Sequence, residues 1–596
     1  MNKSVFLKRK LPYIFILILI LFIGHVMLEL GDHYSSAKLV FSMKLRYLLL
    51  NLAIEYALFA LFSLITGNLW SSGLFYVIFC GLIAMINYYV IEWHGMPLSL
   101  QELSNIKTAV NVLGAYRFSL FGHAYYIIGI LAVALFAACF LRRFRADCSI
   151  PRKYRIWMFA VSLVALFLLW RIVSPPDPLG WEWRTGYQKE GYAVSTACRI
   201  LNNGKVIKPD GYDPSQLDQY VISARTEKPA EEGLDNNPDI IMILNEAFFD
   251  MSILADFETD VPVLEKIKSL EQVKTGYAVV PVAGGGTNQS EYEFLTGNAE
   301  RLFPGIAPFN QLNLEKASSV VSNLESLGYH TLAAHPKEPI NYNRINGYPA
   351  LGFDDVLFEE DFTGLERYHE GWFYTDESVY RNLIRWYEAS DHEDPQLYYL
   401  LTIQNHSDYQ QFPKEYNTVH ARNNYGEEQL DEYLTYINMS DEAFVELVEY
   451  FSQVDRDVVI CMVGDHCPNI AVSLANDNLP EKDYRILLRS TPFVIWSNVF
   501  EGREDLGTMS LNYLLPTLLK SADMPLSPYF RFMLDLKEKV PILTEIGYYI
   551  TSDGEEYAYD EESPFQDDVN TYFYMVYNNV KDDDKKLELF ELSEQQ

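Results

Sequence analysis

The chain has 596 residues, with 47 Lys+Arg against 80 Asp+Glu and a formal net charge of −33, and is too long for one ordinary domain. The charge is uneven: up to Pro176 there are 16 basic and 6 acidic residues, a net of +10, which leaves −43 for the remainder. An acidic part of that size repels phosphates and argues against nucleic acid as a partner. Six cysteines without a CxxC pair give neither a disulfide framework nor a structural zinc site.

Five apolar stretches occupy the first third: Tyr13–Leu30, Leu48–Thr66, Leu74–Ile91, Tyr125–Leu141 and Ile156–Val173. Each is near the length that crosses a bilayer. The first has no small-residue cleavage site and is followed by further spans, so it reads as an anchor and not as a signal peptide. Lys3, Lys8, Arg9 and Lys10 precede it, and Arg142, Arg143, Arg145, Arg152, Lys153 and Arg155 separate the fourth stretch from the fifth. The positive-inside rule then places the N-terminus in the cytoplasm and everything after the fifth span outside, with Lys38, Lys44 and Arg46 as a weaker counter-signal. Glu55 falls inside the second span, where an ionisable group is either functional or paired within the bundle. The connection Trp93–Phe121, with Gly95-Met96-Pro97, is expected to be partly helical and to lie along the outer face. Residues 1–176 therefore read as a five-span transmembrane domain, closed by Pro175-Pro176-Asp177-Pro178.

Residues 177–237 read as a linker with a short helix near Tyr192–Leu201. From Pro238 the pattern changes. Ile240–Leu244, Gly276–Val282, His330–Ala334, Gln396–Ile403, Asp457–Val463 and Thr491–Trp496 read as buried strands, and Val263–Leu270, Leu314–Leu327, Glu377–Tyr387, Asp441–Phe451 and Ser510–Ser521 as helices between them. That alternation predicts an α/β domain with a mainly parallel central sheet over residues 238–553. Residues 554–596 form an acidic C-terminal segment in which Val569–Tyr577 is expected as an edge strand and the last 15 or so residues as a solvated end.

Ligands in such sheets gather at the carboxyl ends of strands. Three of those ends carry residues that packing does not explain: Asn245-Glu246, Gly284-Gly285-Gly286-Thr287 and Gly464-Asp465-His466. Taken alone, Glu246 reads equally well as a helix N-terminal charge and Asp465-His466 as a capping pair. Together, two carboxylates, a hydroxyl and an imidazole make an oxygen/nitrogen site for one divalent cation. The three glycines let the backbone turn sharply before a helix over Gln289–Leu295, whose free N–H groups favour an anion. Thr287 is the nucleophile-capable side chain at that turn, and a metal would lower its hydroxyl pKa.

Ile241-Met242-Ile243-Leu244-Asn245-Glu246-Ala247-Phe248, Gly286-Thr287 with Ser290-Glu291-Tyr292-Glu293, Asn405-His406 and Val463-Gly464-Asp465-His466, in this order, resemble the lipoteichoic acid synthase family. These are membrane phosphoglycerol transferases with an extracellular sulfatase-like, alkaline phosphatase superfamily domain, and five spans followed by an outward domain is also their plan. The resemblance implies that Glu246, Thr287, Asp465 and His466 hold one ion, usually Mn2+, with Mg2+ or Zn2+ possible, and that Thr287 is the nucleophile. It implies further that His335, Tyr342, Arg344 and His406 bind the substrate, the last of these and His335 with Arg344 acting in catalysis. The donor would be phosphatidylglycerol, and the acceptor a polyglycerolphosphate chain, a glycolipid or another cell-surface glycan at a bacterial cell membrane. Lys337 and Tyr342 depart from the family, where an acidic or amide residue and a tryptophan are common, and this leaves head group and acceptor open. Phosphoethanolamine transfer, phosphodiester hydrolysis and a non-enzymatic membrane scaffold are the rival readings. Asn245-Glu246-Ala247 in place of Gly-Glu-Thr weighs against the first of these, and a complete ligand set against the last.

Overall fold

The structure, a computed structural model, describes residues 3–32, 43–94, 123–142, 149–173, 190–202, 206–226, 237–255, 257–303, 306–369, 371–407, 409–422, 428–478, 480–582 and 584–591. The expected surface segment Trp93–Phe121 lies almost wholly outside them. They divide into two compact units, with the boundary after Asn203.

The first unit contains helices α1 (Lys3–Asp32), α2 (Leu45–Thr66), α3 (Leu69–His94), α4 (Ala124–Arg142), α5 (Arg152–Val173) and α6 (Tyr192–Asn202). Every apolar stretch of the sequence is therefore helical. Three of them, Leu45–Thr66, Leu69–Val90 and Arg152–Arg171, are long and apolar enough to cross a membrane, while Phe15–Gly31 and Ala124–Ala137 are shorter apolar runs. Glu55 is buried and accepts from Tyr76 Oη at 3.4 Å, with His25 Nδ1 at 2.9 Å from its other oxygen. It is thus paired within the helices, the arrangement that makes a polar group tolerable in apolar surroundings. Helix α6 packs on this unit: Asn51 bridges the Glu190 carbonyl and the Val194 N–H, and Glu29 accepts from Tyr192 N.

The second unit is built on an eight-stranded sheet. Its strands are β1 (Asp239–Asn245), β2 (Val273–Val279), β3 (His330–Ala334), β4 (Asp355–Leu357), β5 (Gln396–Leu401), β6 (Val458–Gly464), β7 (Ser490–Ser497) and β8 (Arg503–Ser510), in the spatial order β4-β3-β5-β1-β6-β7-β2-β8. Only β7 runs against the others, so β1, β2, β3, β5 and β6 all end on one edge. Strand β1 is buried along its whole length between β5 and β6, which is why Ile240–Leu244 is an unbroken apolar run and does not alternate.

The sheet departs from expectation in three places. Strands β4 and β8 were not foreseen; β8 is a mostly exposed edge strand whose polar sequence carries no buried pattern. Strand β2 lies three residues earlier than predicted, because Pro281 has no N–H to offer a ladder. The expected edge strand Val569–Tyr577 is a helix, Gln566–Val580: Val569, Tyr572, Phe573, Val576 and Val580 recur at helical spacing and are all buried. Within the expected solvated end, the described residues up to 591 are also packed, since Leu589 and Phe590 are buried and Tyr212 donates to Asp582. Among the described residues Cys80, Cys198, Cys461 and Cys467 are buried.

Candidate active site

The carboxyl edge of the sheet gathers three loops. After β1 the chain turns at Ala247, whose positive φ of 46° aims the Glu246 carboxylate inward while Glu246 N donates to Thr402 Oγ1 at 3.2 Å. After β6, Asp465 Oδ1 accepts from Ala247 N at 2.7 Å, which ties the second loop to the first. Helix α7 (Thr287–Thr296) starts after the three glycines; Gly286 is left-handed at φ 100°, and Ser290 Oγ donates to the Asp465 carbonyl at 2.6 Å. Thr287 occupies the first helical position, with Oγ1 3.5 Å from Glu246 Oε2.

The ligand-capable atoms of Glu246, Asp465 and His466 lie within 4.8 Å of one another, and all three residues are buried. His466 Nδ1 is 2.9 Å from the Cys467 carbonyl, which can only accept, so Nδ1 carries the hydrogen and Nε2 presents its lone pair. That lone pair faces Asp465 Oδ2 at 3.2 Å and Glu246 Oε1 at 3.5 Å. Asp465 Oδ2 is buried with no hydrogen-bond partner. Burial, and then the Asp465 charge, push the Glu246 carboxyl well above its ordinary range. Two carboxylates and an imidazole nitrogen converging at one buried point, held by second-layer hydrogen bonds, make an O,O,N set that fits a divalent ion.

Gly464 joins β6 to this site because nothing larger fits. A Cβ there would lie 1.9 Å from the Phe248 carbonyl oxygen, which is backbone and cannot swing away. Gly464→Ala is expected to cost about 3 kcal/mol or more. Urea unfolding of the second unit's signal, with cation affinity measured in parallel, checks this; an unchanged midpoint would show that the loop can move aside.

The second predicted group lies beside the first. Arg344 begins helix α8 (Arg344–Leu351) after two left-handed residues, Tyr342 (φ 51°) and Asn343 (φ 62°). Its guanidinium is buried, with the Tyr342 ring 5.1 Å away. Glu291, one turn below Thr287 on α7, holds it: Oε2 accepts from Nε at 2.9 Å and from Nη2 at 2.6 Å. Glu291 also accepts from Tyr348 Oη at 2.6 Å. His335, at the end of β3, is buried with Nδ1 3.2 Å from the Leu401 carbonyl. Burial, and then the Arg344 charge, hold its pKa well below the ordinary histidine value. His406 Nδ1 is 2.6 Å from the Ser407 carbonyl, and its ring lies 4.8 Å from Phe373, over which Lys337 Nζ sits at 5.3 Å. Glu291 and Thr287 lie on the same helix, α7, which ties Arg344 to the first group.

Three contributors were not assigned roles from sequence. Glu291 was visible only as part of a motif. Phe373 carries no signal at all. Asp376 is buried beneath the site, accepts from Asn245 and Ser440, and is pushed by burial up to about 6.

Residues 238–524 match the sulfatase family. That segment is similar to sulfatases and makes up just under half of the chain. It is 26% identical over 431 residues to a putative cyclic beta-1,2-glucan modification protein of Rhizobium meliloti, covering 68% of this chain and 65% of that one. It is 23% identical over 257 residues to the capsular polysaccharide biosynthesis protein RkpI of the same organism, covering 43% and 46%. The match thus spans less than two thirds of either relative. Among solved structures, the Streptococcus pyogenes phosphoglycerol transferase GacH in complex with sn-glycerol-1-phosphate superposes with a TM-score of 0.52 at 19% identity, covering 64% of this chain and 97% of that one. The resemblance read from the motifs is borne out to this extent: residues 238–524 match the sulfatase family, and the chain shares its fold with a phosphoglycerol transferase.

Proposed function

We propose that the sulfatase-like domain is a phosphoglycerol transferase that moves glycerol phosphate from phosphatidylglycerol, through a covalent Thr287 intermediate, to a polyglycerolphosphate chain, a glycolipid or another cell-surface glycan. The observation that carries this reading is the convergence of Thr287, two carboxylates and the His466 lone pair at one sheet edge, beside the buried guanidinium of Arg344. Glu246, Thr287, Asp465 and His466 would hold one divalent cation, Mn2+ in the family resembled. When bound it lowers the pKa of the hydroxyl and offsets charge on a phosphoryl oxygen. The apolar helices of the first unit, read as five spans with the second unit on the outer side, would anchor the chain in the membrane that holds the lipid donor.

The steps then follow from the chain's own groups. Thr287 Oγ1, deprotonated, bonds to phosphorus, and the bond from phosphorus to the diacylglycerol oxygen breaks. His406 supplies the proton that oxygen needs. Its Nδ1 is committed to the Ser407 carbonyl, so the exchanging atom is Nε2. In the second step the same Nε2 takes the proton of the acceptor hydroxyl, whose oxygen bonds to phosphorus while the Thr287 oxygen leaves as the anion that began the cycle. Arg344 faces the phosphoryl oxygens as charge builds. His335, kept neutral by burial and by Arg344, orients the glycerol hydroxyls.

The test is direct. The Mn2+-loaded full chain is incubated with phosphatidylglycerol vesicles, and the Thr287 peptide is examined by mass spectrometry. A glycerophosphoryl adduct with release of diacylglycerol is expected. Diacylglycerol release with the adduct on another residue, or no release, sinks the reading.

A further inference from the structure

The feature this mechanism leaves unexplained is Glu291. A cation placed to bind phosphate is most useful when its charge is uncancelled, yet Arg344 is matched by a buried carboxylate. Glu291 is fully buried, takes Nε and Nη2 of the guanidinium, and accepts from Tyr348 and Tyr399 at 2.6 and 3.4 Å. Among the described residues Arg344 has no other carboxylate partner. A buried ion pair is weak as a source of stability, because desolvation offsets most of its attraction. Its cost to anion binding is not offset in that way. A guanidinium beside a carboxylate still donates hydrogen bonds, but presents almost no net charge. Lys337 lies at the half-buried rim over Phe373 and does not replace it.

We propose that Glu291 sets the charge of the phosphoryl group this site accepts: by cancelling Arg344 it favours a phosphodiester, with one negative charge, over a phosphomonoester, with two. The inference rests on the phosphoglycerol reading above and deepens it. It makes Glu291 a positioning and specificity-determining residue that acts through Arg344. Its function is to let the site hold a lipid diester without being blocked by phosphate monoesters, whose second ionisation near pH 6 makes them dianions at neutral pH. A dianion gains twice what a monoanion gains from any uncancelled positive charge, so removing the Glu291 charge shifts preference toward the monoester.

The experiment uses the full chain in detergent, loaded with Mn2+, at pH 8. Isothermal titration gives the affinity for sn-glycerol 1-phosphate and for its methyl phosphodiester. Glu291→Gln is expected to tighten the monoester about 5- to 10-fold and to change the diester less than about 3-fold. That sign is opposite to the effect of structural damage, which weakens both. Arg344→Gln is the mirror variant: it leaves the Glu291 charge uncancelled and is expected to weaken the monoester several-fold more than the diester. Tyr348→Phe removes a hydrogen bond and no charge, and leaves the ratio within about twofold. An unmoved ratio in both charge variants, or equal weakening of the two ligands, overturns the role of Glu291 while the transferase reading stands. Wild-type protein that binds neither ligand overturns the transferase reading and this inference with it.

Discussion

Thr287→Ala is expected to abolish diacylglycerol release from phosphatidylglycerol, with a loss on the order of 10⁴-fold or more, while the protein folds as before. The size follows from the role: removing a nucleophile takes away the whole covalent route and leaves only what binding and electrostatics supply. The unchanged fold follows from the contacts. Thr287 starts helix α7, its hydroxyl has a single long contact to Glu246 at 3.5 Å, and alanine is the best helix former. Melting of the variant should therefore stay within about 1 kcal/mol of the wild type. Labelled lipid measures release and circular dichroism the fold. Release within tenfold of wild type from a normally melting variant would falsify the nucleophile assignment, and Ser290, whose hydroxyl is committed to the Asp465 carbonyl, could not take its place.

What could be read from the sequence divides along a physical line. Strands β1 and β6 are buried on both faces, so their apolar runs are unbroken and their ends stand out, which is why Glu246, Asp465 and His466 were found as strand-end residues. Helix α7 was visible because three glycines and a polar start announce a turn into a helix. Strand β8 was invisible, since an exposed edge needs no apolar pattern. The helix Gln566–Val580 was mistaken for a strand because Tyr, Phe and Val favour strands locally, and their helical spacing matters only once there is a core to bury it against. Glu291 escaped for a different reason. Its partners Arg344, Tyr348 and Tyr399 are 53, 57 and 108 residues away, and only the folded chain brings them to one carboxylate. Sequence reading finds groups that chemistry makes conspicuous; the groups that tune them are ordinary residues until their neighbours are known.

The cation site makes a prediction whose sign changes with occupancy. Without a cation, Glu246 and Asp465 are two buried carboxylates that raise one another's energy, and burial, then Asp465, push the Glu246 carboxyl upward. A group whose folded pKa is raised takes up a proton on folding between its ordinary value, near 4.5, and its raised one. The metal-free wild type is therefore expected to gain stability as pH falls through that window, with a slope of up to about 1.4 kcal/mol per pH unit. Glu246→Gln removes the charge, so the metal-free variant should lose that slope and melt at or above the metal-free wild type near pH 8. With cation the order inverts. Wild type at about 100 times its dissociation constant gains about 2.7 kcal/mol, whereas a variant lacking one ligand binds at least about 100-fold more weakly and gains little. Chelation should abolish transfer in the wild type, and Mn2+ should restore it. Differential scanning calorimetry of both proteins, with chelator and with Mn2+, reads all four states. If Glu246→Gln is the less stable protein in chelator as well as in Mn2+, the carboxylate pair is not under electrostatic strain, and the site is held together by its hydrogen bonds without any need for a cation.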